Sequence, residues 1–493
     1  MANAFYLLCL IGGLIGARNW KHGLVIAMIL DCARDPVRKL VPGEPTTITY
    51  AVGLVWAGLM LNMLVSQRKR LMEIRQRFLW IDQVVILLLC SLVPGALMSL
   101  SLHKFGPVLA LVGFVSYSVP LLGILVGICY TFDLAAFRRL LQVYIFVNSL
   151  FFIGSLAELL NWGWPGLGGL SGFHWIRYTS NDIVTLYSGF FRSPDIAGFH
   201  AANVMIASIM LLLNRGDKPR LERRMNPVWL FTASWSFVPL LLCGRRKMLV
   251  IPVVFVVTYL CYLNLFSRRD VRRVAAYIAS VVAIGAVPLI LLGNRSTVDS
   301  HQAYYASTLS DLAPRLRDNV AGSVVGTLQQ SGVMGGGLGV ATQGAHYFSS
   351  DQALNAWQED GVSRLFMELG IPGVIMIGLA GIILIRRLGA EARKGGYAPL
   401  VELRAMMFAM SAGNLASFVA SHQHFSSDPA NTLWVLIFFG MFMGALAINL
   451  PANFNSAATA QPSQVPPPAM RPVGHFPGDA ALSTGQPVGR AIE

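Results

Sequence analysis

Charged side chains are scarce in this 493-residue chain: Asp, Glu, Lys and Arg make up 13% of it, whereas 55% of its residues are hydrophobic. Soluble domains contain about 25% charged residues. The chain therefore has too few polar side chains to cover a water-facing surface, which excludes an ordinary soluble domain. Repeated apolar segments of roughly 20 residues instead predict an all-α polytopic membrane protein.

The sequence also lacks the motifs of several common sites. Its six cysteines include no Cys-x-x-Cys pair and most lie in apolar segments, so no disulfide framework or cysteine metal centre is indicated. The pair His422 and His424 has no matching third ligand, and we expect no metal and no cofactor. A GxxxxGK[ST] phosphate loop is absent as well, so the sequence does not support nucleotide binding.

The net charge of +14 does not indicate a nucleic-acid-binding protein here. Its Lys and Arg residues lie mainly in short loops after every second apolar segment, which is the distribution expected on the cytoplasmic side of a membrane. These basic loops are 67–77, 137–140, 214–224, 267–273 and 386–396. The loops predicted on the opposite, periplasmic face are 31–45, 102–106, 161–196, 244–247, 294–365 and 421–431.

Eleven clear apolar segments are predicted to span the bilayer. Near the N-terminus, residues 4–17 and 24–30 are apolar but interrupted, and they suit either one broken span or a span plus an interfacial helix. The amphipathic segment 31–45 that follows is predicted to lie at the membrane surface. With one N-terminal crossing, the fold has about twelve transmembrane helices and both ends in the cytoplasm. The eleven segments are 46–65, 81–101, 107–130, 139–160, 197–213, 227–243, 248–266, 274–293, 366–385, 399–420 and 432–450.

The predicted transmembrane domain covers residues 1–450 and has two long periplasmic loops, 161–196 and 294–365. The second loop precedes the third-last helix and contains most of a glycine-rich polar stretch at 332–373. Residues 451–493 are rich in Pro, Gly, Ser and Ala and show no periodicity, so we predict a disordered cytoplasmic tail. Long polar loops on one face and short basic loops on the other predict that the protein acts at its periplasmic face.

Arginines in the periplasmic loops oppose the positive-inside tendency and are therefore candidate anion ligands. Arg192 precedes the span at 197–213, and Arg245 and Arg246 lie in a tight turn between two spans. A guanidinium group donates two parallel hydrogen bonds to phosphate and stays charged, so these residues are suited to hold a pyrophosphate at the membrane surface. The alternative is contact with lipid headgroups, which is the role we expect for Lys247.

The glycine-rich stretch contributes three further candidates. His346 is a candidate base near neutral pH. Arg364 and Glu368 are four residues apart, so they share a helix face and can pair with each other. This pair either anchors the start of a helix, or it supplies a phosphate ligand and a buried base at the membrane boundary.

Four motifs in this order resemble the bacterial O-antigen ligase and polymerase superfamily: FFRSPDIAGFHAAN, CGRRKML, GGGLGVATQGAHYF and FMELGIPGVIM. The early segment DCARDPVRKLVPGEP resembles exopolysaccharide-associated members. The resemblance implies a metal-independent membrane glycosyltransferase of the C-type fold, which transfers a glycan from an undecaprenyl-diphosphate carrier to an acceptor sugar hydroxyl. It also implies that Arg192 and either Arg245 or Arg246 bind the diphosphate, and that His346 takes part in catalysis.

We therefore expect polymerisation of undecaprenyl-diphosphate-linked oligosaccharides into an exopolysaccharide or O-antigen-type glycan, on the periplasmic face of the bacterial inner membrane. The expected partners are the lipid-linked glycan, the acceptor glycan, membrane lipids and proteins of chain-length control or export, and not nucleic acid. Three alternatives stay open: an O-antigen ligase, a transporter of lipid-linked sugars and a non-catalytic assembly subunit. The candidate site residues are Arg192, Arg245, Arg246 and Arg364 for the diphosphate, and His346 and Glu368 for catalysis.

Overall fold

The computed structural model describes residues 1–170, 175–178, 183–213, 225–266, 271–292, 295–307, 322–342, 358–393, 398–422, 425 and 428–447. Within these residues the chain is almost entirely helical, with one antiparallel two-stranded sheet. The strands are β1 (Trp175–Tyr178) and β2 (Ile183–Leu186). The helices are α1 (Ala2–Arg18), α2 (Trp20–Lys39), α3 (Thr47–Ala51), α4 (Gly53–Ser66), α5 (Arg68–Arg77), α6 (Trp80–Leu102), α7 (Gly106–Ser118), α8 (Leu122–Tyr130), α9 (Leu134–Phe151), α10 (Ile153–Leu159), α11 (Pro194–Leu213), α12 (Asn226–Leu242), α13 (Arg246–Phe266), α14 (Val271–Leu292), α15 (Arg295–Ala306), α16 (Ser323–Ser331), α17 (Gly361–Arg393), α18 (Ala398–Ala420) and α19 (Pro429–Ala447).

The prediction of an all-α polytopic membrane protein is confirmed at this level. Across the described ranges, nine helical segments are long and apolar enough to cross a bilayer. Each of the eleven predicted spans contains a helix. The total of about twelve spans and the assignment of the faces to cytoplasm and periplasm stay predictions. The predicted tail at 451–493 lies outside the described residues.

The N-terminal region differs from the single crossing assumed in the predicted count. Asn19 separates two helices because its side chain accepts the first N–H groups of α2, and α2 then runs back beside α1. An added Cβ on Gly23 would lie 2.5 Å from the Cα of Gly16, so the hairpin packs this closely only with glycine. The start of α1 lies near α3, where the Tyr6 and Thr47 hydroxyl oxygens are 2.6 Å apart.

As a result, α1 begins and α2 ends at the same end of the helix assembly. The predicted interfacial segment at 31–45 is instead, up to Lys39, a continuation of α2 beyond its apolar part at 24–30. The prediction that both ends of the chain are cytoplasmic stays a prediction, and the last described helix, α19, ends on the opposite side of the helix assembly. There, Arg77 donates to the carbonyl of Ala447.

One loop of the basic set, 67–77, lies on that side, where the Arg70 guanidinium is 5.2 Å from the Phe132 ring centre. Arg77 lies in the basic loop 67–77, and Lys21, at the turn between α1 and α2, pairs with Asp133 just before α9. We call this side of the helix assembly the basic end, and the opposite side the distal end.

Polar contacts join all six loops that were predicted to share the face opposite the basic loops. These contacts support the placement of the six loops at one end of the helix assembly, the distal end, whichever compartment that end faces. The contacts pair Lys39 with Gly166, Arg192 with Asp428, Lys247 with Ser421, Arg246 with Ser307, His103 with Gly336, and His422 with Gln358.

The described part of the glycine-rich stretch, 332–342, packs against α17 as irregular backbone. Gly336 donates its N–H to the carbonyl of Met367 at 2.7 Å, so this group bonds within the protein. Gly370 lies inside α17 with φ 66°, and a Cβ there would collide with the backbone of Met334. Glycine is needed at this position both for its conformation and for the close approach.

We expect Gly370→Ala to destabilise the protein by more than about 1 kcal/mol, because alanine is strained at positive φ and has no space here. Gly378→Ala, on the same helix, is the matched control: nothing lies within 4 Å of a Cβ at that position. It should be neutral or stabilising by up to about 1 kcal/mol. Thermal unfolding of both purified variants in one detergent measures the difference, and equal melting temperatures would contradict this account.

Candidate functional site: the polar distal end

The distal end contains a buried cluster of two arginines and three aspartates. Arg34 pairs with Asp31 at 2.9 Å and with Asp428, while Arg192 pairs with Asp35 at 3.2 Å and with Asp428 at 3.5 Å. The exposed fractions of these side chains lie between 1% and 13%. We call these five residues the acid–arginine cluster.

Local sequence explains how α2 supplies three members of this cluster. Asp31, Arg34 and Asp35 are spaced three and four residues apart, so they share one face of the helix. Arg192 comes from the segment between β2 and α11, and Asp428 directly precedes α19. Three distant parts of the chain are thus joined by charge pairing in a place where unpaired charge would be very costly.

The cluster has one carboxylate more than it has guanidinium groups, three against two, so full ionisation leaves one excess negative charge. Burial raises the pKa of Asp31 to about 7, although Arg34 acts against this shift. Burial acts in the same direction on Asp428, but Arg34 and Arg192 prevail and hold the pKa of that carboxyl below its ordinary value. Asp31 therefore takes up a proton near neutral pH.

A cavity of about 30 Å³ adjoins the cluster. Asp31 and Asp428 line it together with the aromatic side chains of Trp56, Tyr144 and Trp434. Its volume accommodates a water molecule or two and is far below the several hundred Å³ typical of ligand pockets. This cavity suits a proton or a water molecule, and it is too small for a sugar.

A second polar group lies in the turn between α12 and α13. Arg245 and Lys247 lie 3.2 Å and 2.6 Å from the two carboxylate oxygens of Asp195, in the first turn of α11. Lys247 also donates to the Ser421 hydroxyl at 2.6 Å, and the Arg245 guanidinium lies 5.7 Å from the Trp175 ring centre. We call Arg245 and Lys247 the basic turn. Both side chains are 16% exposed, so they are more accessible than Arg192 at 8%.

Arg246 makes a separate set of contacts. Its guanidinium donates to the Tyr304 carbonyl and to the Ser307 hydroxyl at 2.6 Å, and it stacks over the Tyr304 ring at 4.0 Å. These contacts join the turn to α15. Of the two consecutive arginines, Arg245 is the one that shares a partner with Lys247, which we had expected to contact lipid headgroups.

The predicted pair of Arg364 and Glu368 forms, with 3.4 Å between Nε and Oε2. Glu368 is fully buried and accepts hydrogen bonds from the Ala341 N–H at 3.1 Å and the Thr342 hydroxyl at 2.9 Å. Arg364 donates to the same hydroxyl oxygen at 3.0 Å, and its guanidinium lies 5.3 Å from the Tyr117 ring centre. These are the contacts of a helix-start anchor, which was one of the two predicted roles. The phosphate-binding and catalytic roles stay predictions.

His422 lies between the basic turn and Arg364. Its Nε2 is 2.6 Å from the carbonyl oxygen of Gln358, so this nitrogen carries the proton. Burial, reinforced by the positive charge of Arg364, lowers the pKa of His422 to about 3, so the ring is neutral at physiological pH. His424, the second histidine of the candidate metal pair, lies outside the described residues.

The distal end thus brings together five of the six predicted site residues within one polar region, although not within one pocket. Arg192 belongs to the acid–arginine cluster, and Asp195, three residues later, holds the basic turn. Arg364 and Glu368 lie beyond His422. The sixth residue, His346, lies outside the described residues.

Sequence reasoning missed four aspartates of this region, namely Asp31, Asp35, Asp195 and Asp428. Two signals would have found them. Asp31 and Asp35 follow an apolar stretch at helical spacing with Arg34 between them. Asp195 and Asp428 each adjoin a proline that begins a helix, where an acidic side chain is favoured by the helix dipole.

No protein-family model matches the chain, and no curated protein matches it significantly. The likeness to the O-antigen ligase and polymerase superfamily therefore depends on the short motifs alone, and membership of that family stays a prediction.

We expect Asp31→Asn to flatten the pH dependence of stability between about pH 4 and pH 7. The folded-state pKa of Asp31, about 7, lies above the unfolded value of about 3.9. The stability contributed by its proton is therefore complete below about pH 4 and is lost as the pH rises through 7. The neighbouring charges of Arg34, Asp35 and Asp428 are unchanged by this substitution, so melting curves isolate the effect of Asp31.

The exposed Asp82, which pairs with Arg75 at the basic end, supplies the control for that series. Asp82→Asn should follow the wild-type pH profile. A profile for Asp31→Asn that parallels the wild type throughout would show that Asp31 does not bind the proton.

We expect Asp428→Asn to destabilise the protein by about 3–5 kcal/mol, because it breaks two buried ion pairs at once, those of Asp428 with Arg34 and with Arg192. Denaturation of the purified variant measures this loss, with Asp82→Asn again as the control at no more than about 1 kcal/mol. A loss for Asp428→Asn as small as that of the control would mean that the cluster contributes little to folding.

Proposed function

We propose that the protein is a membrane glycosyltransferase that polymerises undecaprenyl-diphosphate-linked oligosaccharide units at its distal end, on the periplasmic face of the bacterial inner membrane. The observation that supports this most is the basic turn. Arg245 and Lys247 place two partly exposed cations on the single carboxylate of Asp195. A diphosphate presents oxygen acceptors of the same kind with more negative charge, so it competes for these two cations.

The basic turn lies where a lipid-linked substrate would present its phosphates. Arg245 and Lys247 stand at the start of α13, Asp195 stands in the first turn of α11, and both helices are apolar enough to span a membrane. The diphosphate of a lipid carrier lies at the same boundary, where its polyprenyl chain enters the hydrocarbon region. The basic turn therefore meets the donor without removing the lipid from the membrane.

Arg192 has a positioning role in this proposal. It is buried, and its guanidinium is held by Asp35 and Asp428. This pairing fixes the segment that leads into α11, and so it fixes Asp195 beside the basic turn. Arg192 can add long-range positive charge to the donor site, but direct bonds to phosphate would require it to leave its present partners.

The proposed reaction is a direct displacement at the anomeric carbon of the donor. The bond from that carbon to the diphosphate oxygen breaks while the acceptor hydroxyl oxygen forms the new glycosidic bond, which inverts the anomeric centre. The basic turn stabilises the diphosphate as negative charge develops on it. The acceptor hydroxyl proton passes to a base, for which His346 is the proposed residue. Glu368 is the second candidate base, and its hydrogen bonds to Ala341 and Thr342 favour an anchoring role.

We expect the double variant Arg245→Ala with Lys247→Ala to lose transfer by at least about 100-fold, the effect of removing charge stabilisation from a leaving group. The measurement uses purified protein in liposomes with a lipid-diphosphate oligosaccharide, and it follows polymer length on gels. Arg75→Ala is the control, because that arginine lies exposed at the basic end.

A double variant that melts like the wild type and still polymerises at the wild-type rate would overturn the proposed donor site. Adding a lipid or sugar acceptor to the same assay distinguishes a polymerase from an O-antigen ligase, since only the acceptor of the glycan differs between them.

A transporter of lipid-linked sugars is the second candidate, and the acid–arginine cluster favours it. Buried ionisable groups in membrane proteins are frequently parts of proton pathways. Asp31 combines burial, a neighbouring cavity and an excess of carboxylates over cations. Transport predicts movement of intact substrate across liposomes without a new glycosidic bond, and a loss of pH dependence in Asp31→Asn. Recovery of longer glycans as product would exclude transport as the sole activity.

A further inference from the structure

The side chain of Lys39, the last residue of α2, ends inside a group of backbone carbonyls. Five carbonyl oxygens lie within 3.1 Å of its Nζ. They belong to Gly166 at 3.1 Å, Gly168 at 2.5 Å, Gly189 at 3.0 Å, Phe190 at 3.1 Å and Phe191 at 2.8 Å. We call these five oxygens the carbonyl cage.

The number of oxygens exceeds what one ammonium group needs. An ammonium group has three N–H donors, so five acceptors at these distances surround a charge and are not matched one to one with hydrogen bonds. The cage contains neutral carbonyls, whereas proteins bind divalent cations with help from carboxylates. Rings of backbone carbonyls are the ligands by which proteins replace the hydration shell of K⁺. The cage is thus suited to a monovalent cation.

The backbone that forms the cage is shaped to present its carbonyl groups. Gly166, Gly168 and Gly189 all have positive φ, at 89°, 82° and 60°, so these turns depend on glycine. On the other side of the same backbone, Glu158 accepts the N–H groups of Ser188 at 2.9 Å and Gly189 at 2.7 Å. The Lys39 ammonium therefore contacts the carbonyl groups of this backbone, and the Glu158 carboxylate contacts its N–H groups.

The ammonium form of Lys39 is the one that occupies the cage at neutral pH. Burial lowers the pKa of Lys39 to about 8, while the carboxylates of Asp35, Glu158 and Glu44 act in the opposite direction. At pH 7 most of the side chain is therefore protonated, and the cage holds a full positive charge.

We propose that the carbonyl cage is a monovalent-cation site that the chain fills with its own Lys39 ammonium, and that this tethered cation positions Arg192. Phe191 supplies a cage carbonyl, and the next residue, Arg192, donates its backbone N–H to Asp35 at 3.1 Å. Lys39 and Asp35 lie one helical turn apart on α2, so α2 holds the two ends of one peptide group, the Phe191 carbonyl and the Arg192 N–H, by opposite charges. The inference is independent of the proposed glycosyl transfer, because it concerns only this cage and the segment it holds.

The test uses Lys39→Met in the full-length protein, because methionine keeps much of the side-chain volume and removes the cation. With the cage empty, we expect a lower melting temperature in choline chloride and a recovery of several degrees in KCl or NH₄Cl of equal ionic strength. Wild-type protein should melt at the same temperature in all three salts, because Lys39 already fills the site. MgCl₂ at matched ionic strength should not produce the recovery.

Lys21→Met is the matched control, since Lys21 pairs with Asp133 at the basic end and has no cage. It should show no preference for K⁺ over choline. If Lys39→Met does not fold, Lys39→Gln provides two N–H donors without a charge, and K⁺ should stabilise it over choline in the same way. Equal melting temperatures in KCl and choline chloride for the folded Lys39 variant would overturn the proposal.

A second readout separates a cation site from general stabilisation. Limited proteolysis between β2 and α11 should be faster in Lys39→Met than in wild type when choline is the only cation, and K⁺ should restore the wild-type rate. Cleavage that is equally fast in both salts would also count against the cage as a cation site, because the segment it holds would then not respond to the ion.

Discussion

Pairing of buried charges between α2 and two distant loops is the interaction on which the distal end depends. Arg34 and Arg192 share Asp428, and Arg192 also binds Asp35, in a region with little access to water. Removing either arginine leaves buried carboxylates without compensation, and removing Asp428 takes away the acceptor that both arginines share. The pairing fixes the segment before α11, and that segment places Asp195 beside the basic turn. The geometry of the candidate donor site is therefore a consequence of charge pairing elsewhere.

Much of the fold could be predicted because hydropathy is a local property. Every predicted span contains a helix, since about 20 consecutive apolar residues suffice to identify one. The course of α2 could not be predicted in this way. Its charged residues Asp31, Arg34 and Asp35 suggested a segment at the membrane surface, because the distant partners of Asp35 and Arg34 are 157 and 394 positions away in the chain. Long-range partners of this kind leave no local signal in one sequence.

The sequence predicted the region in which the candidate site lies, but it did not predict which side chains pair with each other there. The expectation that the six polar loops share one end agrees with their contacts, and Arg364 pairs with Glu368 as their spacing indicated. The two consecutive arginines of the turn have different partners. Arg245 and Lys247 both pair with Asp195, whereas Arg246 contacts Tyr304. Which of two adjacent arginines meets which acceptor depends on how the chain reverses at Gly244, where φ is 61°, and a motif does not encode that choice.

The position of Asp428, directly before the last described helix, has a consequence for biosynthesis. Chains are made from the N-terminus, so Arg34 and Arg192 enter the membrane-bound intermediate long before their shared carboxylate exists. Until α19 and the residues before it emerge, the two guanidinium groups have only Asp31 and Asp35 as acidic partners within the cluster. The final helix therefore brings the one carboxylate that joins the two pairs, because a chain that stops short of it has Arg34 bonded to Asp31 and Arg192 bonded to Asp35 with no acceptor shared between them.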